Sequence, residues 1–146
     1  MSEVFDIADR YCDQMGALDP CSATGAGIPG HDHEMTDYSP SGTAARIDLA
    51  RGTLKALAAA QHSTDDDRLA ASVMTERLAL DVEQYEAGER LLDVRIMASP
   101  SDMARQCFDL MRLDTEDDWD AAAERMTRVP DSLASIEASL RDAGAQ

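Results

Sequence analysis

The chain has 146 residues, of which 24 are alanine and only six aromatic, and its formal net charge is −16. A chain of this length can bury about 70% of the surface it exposes unfolded, and a core of Leu, Ile, Val, Met and Ala favours packed helices over a sandwich, because strands enrich β-branched and aromatic residues. The charge argues against nucleic acid as a partner: twelve of the 13 basic residues are Arg scattered singly among acids, with no basic stripe to release counterions from a phosphate backbone.

In chain order, the first segment, roughly residues 3 to 18, carries Val4, Ala8, Tyr11, Met15 and Leu18 at helical steps. Asp19-Pro20 ends it, since a residue before proline is pushed out of the α region, and a short turn of helix is expected before "GAGIPG". A polar loop then runs to Ser39, which stands as an N-cap with Pro40 at the first helical position. From there Ile47, Ala50, Leu54 and Leu57 predict a second helix to about Gln61, weakened at Gly42 and Gly52.

The third helix starts at "STDDDR", capped by Ser63 or Thr64, with three aspartates at the positive end of the helix dipole, and runs to about Gly88. Leu69, Val73 and Leu80 fall on one side and Met74, Leu78, Val82 and Tyr85 on the other, which predicts a long central helix covered on both sides. "LLDVRIMASP" lacks helical spacing and is expected to be extended or irregular. Ser99-Pro100 starts a fourth helix with Met103, Cys107 and Leu110. Thr115 and Asp118 resemble a capping box before Trp119, Ala122, Met126 and Val129, and Pro130 opens a sixth helix with Leu133, Ile136, Leu140 and Ala143. The expected fold is all-α, an irregular bundle of about six helices in one domain over residues 1–146.

Cys12, Cys21 and Cys107 are an odd set without a CxxC pair, which indicates neither a disulfide framework nor a zinc ribbon. The start, "MSEVFDIADR", is acidic where a signal peptide is basic, and no apolar run approaches the ~20 residues of a membrane span. The expectation is a cytoplasmic chain with reduced thiols and no membrane partner.

Candidate chemistry concentrates in "GIPGHDHEMTDYSP", residues 27–40. His31 and His33 stand two apart, so an extended backbone would put both rings on one face, and Asp32, Glu34 and Asp37 could add oxygen ligands for zinc or non-haem iron. Against this, a loop is polar because it is a loop, and a metal site needs further ligands on rigid elements. His31 and His33 are therefore weak metal candidates, and no cofactor is expected in this chain. Glu76 and Glu83, seven apart on one helix face, are about 10 Å apart along the axis, able to flank a cleft but not to share a proton; a solvated helix edge, the commonest use of Glu on helices, is the favoured reading. Cys107 reads as a buried apolar thiol, and Met15, Met74, Met103 and Met126 as core filling. There is no HExxH, GxSxG, Walker loop or GxGxxG, so no catalytic residue is expected.

"FDIADRYCDQMGALDPCSATGAGIPGHDHEMTDYSP", "ERLALDVEQYEAGERLLDVRIMASP" and "FDLMRLDTEDDWDAAAERM" together resemble, in order, the opening of the bacterial family called domain of unknown function 885. That resemblance implies a mostly helical fold and kinship with zinc metallopeptidases several hundred residues long, whose His-Glu signature matches no position of this chain. It therefore implies a non-catalytic N-terminal helical region that shapes a cleft, whether a fragment, a truncated reading frame or a free-standing remnant, with zinc possible only in longer members. A second expectation is a free-standing all-helical interaction module. Either reading makes the rest of the family fold, or another protein, the partner of apolar helix faces, chiefly the third helix and the Leu133, Ile136, Leu140 stripe, and self-association is expected if those faces meet water.

Overall fold

The computed structural model describes residues 2–89, 95 and 97–144. Among them lie α1 (Glu3–Leu18), α2 (Pro20–Ala26), α3 (Pro40–Ala59), α4 (Asp65–Glu86), α5 (Pro100–Asp109), α6 (Glu116–Thr127) and α7 (Val129–Ala143), with no strand. The fold is all-α, an irregular bundle, and the described residues form seven helices where about six are expected, because the short turn after Asp19 extends through two turns as α2. Asp19 caps it by accepting from the Ser22 N–H at 3.2 Å, and Pro20 sits at its start, where a missing N–H costs nothing.

The other starts follow the caps legible in the sequence. Ser39 and Ser99 accept from Gly42 and Asp102, and Thr64–Asp67 and Thr115–Asp118 are complete capping boxes. Gly42, which weakens α3 on propensity alone, has a packing reason: a Cβ there would stand 2.3 Å from the Asp37 carbonyl oxygen. Half of "LLDVRIMASP", residues 91–94 and 96, lies outside the described residues.

Helices α1, α3 and α4 share an apolar core of Val4, Ile7, Ala50, Leu57, Ala71 and Leu78, with Tyr11, Leu54, Met74 and Val82 packed around it. Burying Leu57 alone contributes about 2 kcal/mol. Two polar contacts fasten the ends of this group: the Ser2 hydroxyl donates to Asp67, and the Gln61 N–H donates to Glu3 at 3.0 Å.

Three expectations about faces need correction. Helix α4 is the longest at 22 residues, yet only its Met74–Leu78–Val82 side is covered, while Leu69 is 66% and Val73 51% exposed. On α6 Trp119 and Met126 point outward, and Ala122 and Arg125 form the buried face. On α7 Leu133 is exposed, and Ser132 and Ser139 are buried instead. The reason for the last two is the same: α6 and α7 pack against the backbone of the polar loop, which needs hydrogen-bond donors and acceptors rather than methyl groups. No described helix is long and apolar enough to cross a membrane.

Candidate functional site

The loop between α2 and α3 is an ordered segment held from three directions. Arg125, on α6, is fully buried. Its Nε donates to the Glu34 carbonyl at 2.8 Å, and its Nη2 donates at 2.8 Å to the His31 carbonyl and the Thr24 hydroxyl. Thr24 in turn donates to Asp32 at 2.7 Å, and Asp32 lies 3.9 Å from the guanidinium. A planar cation with a fixed fork of donors suits several carbonyls at once, which a lysine could not match. Further along, Thr36, also fully buried, accepts from the Cys21 N–H at 3.0 Å and donates to Asp19 at 2.6 Å.

The third support is a serine stripe on α7. Ser132 donates to the Thr36 carbonyl at 2.8 Å, Ser135 accepts from the Tyr38 N–H at 2.8 Å, and Ser139 donates to the Tyr38 carbonyl at 2.6 Å. Positions 132, 135 and 139 follow the steps of three and four that bring side chains to one helix face. Residues 36–38 thus lie along α7 with their backbone satisfied by side chains instead of a neighbouring strand.

Beneath this loop two cysteines from different helices meet. Cys21 of α2 and Cys107 of α5 are both buried free thiols. The Cys21 thiol is drawn down to about 6, chiefly by a hydrogen bond from Cys107 and against the effect of burial, with Thr36 helping. Cys107 is pushed up by the same interaction and by burial, while Arg125 acts in the opposite direction. Met35 brings a third sulfur 3.9 Å from that of Cys21. Two polar atoms of this neighbourhood, Arg125 Nη1 and the Tyr38 hydroxyl, are buried with no partner at hydrogen-bond geometry among the described residues, although their side chains act on the Cys107 and Cys21 thiols. Burial, followed by the proximity of Cys21 and Asp19, keeps Tyr38 protonated well above its ordinary range.

On the other side of Tyr38 opens a cleft of about 320 Å³. Every helix but α6 contributes to its walls, with Tyr11, Asp19, Tyr38, Arg46 and Asp81 as polar groups and Met103 among the apolar ones. Arg46 is anchored by the Asp37 carbonyl at 2.7 Å and the Thr43 hydroxyl at 3.1 Å, and its guanidinium carbon stands 5.8 Å from the Tyr38 ring centroid. Tyr11 is pushed up to about 12 by burial first and by Asp81 second. Ile136 and Leu140 of the expected apolar stripe face this cleft.

The residues singled out by sequence therefore separate. His31 packs its ring against Gly16, where a Cβ would stand 3.2 Å away, and its Nδ1 lies 3.2 Å from Glu34. His33 Nε2 lies 3.8 Å from the same carboxylate. Asp37 turns back to accept from the Ser39 N–H at 2.8 Å. Among the described residues no three His, Cys, Asp or Glu side chains are grouped to hold a metal ion. Glu76 and Glu83 are exposed and line no part of the cleft. Arg125, Thr36, Cys21 and Tyr38 were not singled out by sequence: one Arg among twelve, and a Thr and a Tyr in a polar loop, carry no periodic signal.

Residues 20–146 match the profile of a family described as bacterial protein of unknown function, DUF885. The chain belongs to this family. No curated protein matches it significantly.

Proposed function

We propose that this DUF885 chain is a non-catalytic helical region of a peptidase-like hydrolase, and that its cleft helps to receive the ligand on which chemistry elsewhere acts. The observation that carries this reading is the cleft itself, about 320 Å³ and walled from six helices, in a chain that has no HExxH or nucleophile-elbow motif. Such a volume falls within the ordinary range of ligand pockets. The combination of anchored Arg46, two tyrosines and an apolar floor suits a peptide-like ligand that offers a carbonyl or carboxylate beside an apolar side chain.

The test is equilibrium binding of a mixed peptide pool to the chain and to Met103→Trp, which narrows the cleft from its α5 wall. Retention of peptides by the wild type alone, uncleaved, is the expected result. Equal retention by both proteins removes the cleft from the reading. Reproducible cleavage in zinc-supplemented buffer, abolished by Glu34→Gln, overturns the non-catalytic part.

A second reading, a helical interaction module, is supported by the exposed side of α4, where Leu69, Val73 and Leu80 face solvent. Light scattering across a concentration series, with Leu69→Glu plus Val73→Glu as the comparison, checks it. A strictly monomeric wild type that captures no partner speaks for the first reading.

A further inference from the structure

Two opposite charges stand without a counter-charge in the walls of the cleft. Arg46 donates through Nη1 to the Asp37 carbonyl at 2.7 Å and the Leu18 carbonyl at 3.4 Å, and through Nη2 to the Thr43 hydroxyl at 3.1 Å. All three acceptors are neutral. Among the described residues no carboxylate pairs with Arg46, and its Nε–H and a second Nη2–H make no hydrogen bond. Asp19 is anchored in the same way. Its Oδ1 accepts from the Ser22 N–H at 3.2 Å and from the Thr36 hydroxyl at 2.6 Å, while Oδ2 has neither donor nor cation among the described residues. Asp81, the other carboxylate of the cleft, has an interaction of its own. Leu18 and Asp19 are neighbours in the chain, so the 3.4 Å contact and covalent geometry keep the Asp19 carboxyl carbon within roughly 9 Å of Arg46 Nη1. The two charges are thus held close, yet each is tied to its own neutral partners and they do not pair with each other. Around them Ile47, Met103, Ile136 and Leu140 supply an apolar lining.

Taking the cleft as a ligand site, the reading on which this step rests, we propose that it selects a dipeptide with both ends free and apolar side chains, its ammonium on Asp19 and its carboxylate on Arg46. Length follows from the spacing of the charges. At about 3.3–3.6 Å per residue an extended dipeptide separates its ends by about 6–7 Å, a single amino acid by much less, and a tripeptide reaches about 10 Å and fits only by folding. Charge gives the same answer. A zwitterion compensates both walls at once and brings no net charge into the field of a chain at −16, whereas an N-capped peptide is an anion that this field repels and that leaves Asp19 unpaired. An amine alone leaves Arg46 unpaired. Because both charged groups are fixed by their anchors before a ligand arrives, little rotamer freedom is lost on binding. Tyr11, pushed up to about 12 by burial first and by Asp81 second, keeps its proton at neutral pH and can donate to the peptide carbonyl.

The test titrates the full chain by calorimetry with L-leucyl-L-leucine, its N-acetyl and its C-amide derivatives, L-leucine and trileucine. The free dipeptide should bind roughly tenfold more tightly than either capped form, the lower end of what a hydrogen bond to a charged group contributes, and more tightly than leucine or trileucine. Arg46→Gln should bring the free dipeptide down to the affinity of the amide and change the amide little. Asp19→Asn, which keeps an oxygen to cap α2 and to accept from Thr36, should bring it down to the affinity of the N-acetyl form. The wild-type series decides the matter even where a variant does not fold. Equal or tighter binding of a capped, one-residue or three-residue ligand overturns the dipeptide and leaves the cleft as a ligand site. So does silence toward the whole series while a mixed peptide pool is still retained. Silence toward both, or dipeptide binding undiminished in Met103→Trp, overturns the cleft reading as well.

Discussion

Helices α1, α3 and α4 meet through Val4, Ile7, Ala50, Leu57, Ala71 and Leu78, whereas the loop after α2 meets α6 and α7 through Arg125, Thr36, Ser132 and Ser139. The two regions belong to one chain and touch at the cleft, yet different forces hold them. In the first, regular helices satisfy their own backbones, so their interface is free to be apolar. In the second, an irregular segment brings unsatisfied amides and carbonyls inward, and each must find a partner there. An irregular connection is thus tolerated in the interior only where neighbouring helices give up apolar residues for polar ones.

This contrast would break most visibly at Arg125. Arg125→Met keeps much of the volume but strands the carbonyls of His31 and Glu34 and the Thr24 hydroxyl. The expected loss is about 4 kcal/mol in urea unfolding, since hydrogen bonds from a charged group are among the strong ones and several go together. Amide exchange should rise in the loop while the amides of α3 and α4 remain protected. Uniform loss of protection would mean that the two regions unfold as one unit.

Leu57→Ala is the matching change on the apolar side. Leu57 is 1% exposed at the centre of its core, and such truncations cost about 2–5 kcal/mol according to how far the cavity collapses. About 3 kcal/mol is expected, with the exchange pattern reversed: α1, α3 and α4 open and the loop stays protected. Thr36→Val should cost less, about 2 kcal/mol, by leaving the buried Cys21 N–H without its acceptor. A neutral Thr36→Val would show that the polar side is held by Arg125 and the serines alone.

The same contrast explains what was legible in the sequence. In α1 and α3 an apolar residue every three or four positions reports the buried face, on α4 the same spacing marks both the covered Met74–Leu78–Val82 side and the exposed Leu69–Val73 side, and the caps at Ser39, Thr64, Ser99 and Thr115 mark where helices begin. On α6 and α7 that rule misleads, because Trp119, Met126 and Leu133 are exposed while Arg125, Ser132 and Ser139 are buried. Periodicity records apolar faces, and it has no means of showing that a helix packs against carbonyl groups. The serine spacing at 132, 135 and 139 was present, but serine is as common on surfaces as in such stripes. The candidate site was hidden for the same reason: the histidines drew notice as ligands, yet what Arg125 holds is the backbone carbonyl of His31, together with that of Glu34.

The smallest expected effect concerns the two capping boxes, one in each region. Asp67 and Asp118 both have carboxyls held below the ordinary range. For Asp67 the first cause is the Ser2 hydroxyl, and for Asp118 it is the Thr115 side chain. A carboxyl whose folded value is depressed adds stability that is present above its unfolded value of about 3.9 and is lost as pH falls through the folded value. Each box should therefore weaken on acidification and be unaffected between pH 6 and 8. The two should differ, however, because Asp67 also joins α4 to the start of α1 through Ser2, whereas the Asp118 contacts stay within its own helix start. Following the helical signal of the wild type, Asp67→Asn and Asp118→Asn from pH 7 to pH 2 distinguishes them. Asp67→Asn should be the more destabilised at neutral pH, and each variant should converge on the wild type once the carboxylate is protonated. A difference that persists unchanged to pH 2 would mean that shape rather than charge fastens these caps, and equal losses in the two variants would remove Ser2 from the account.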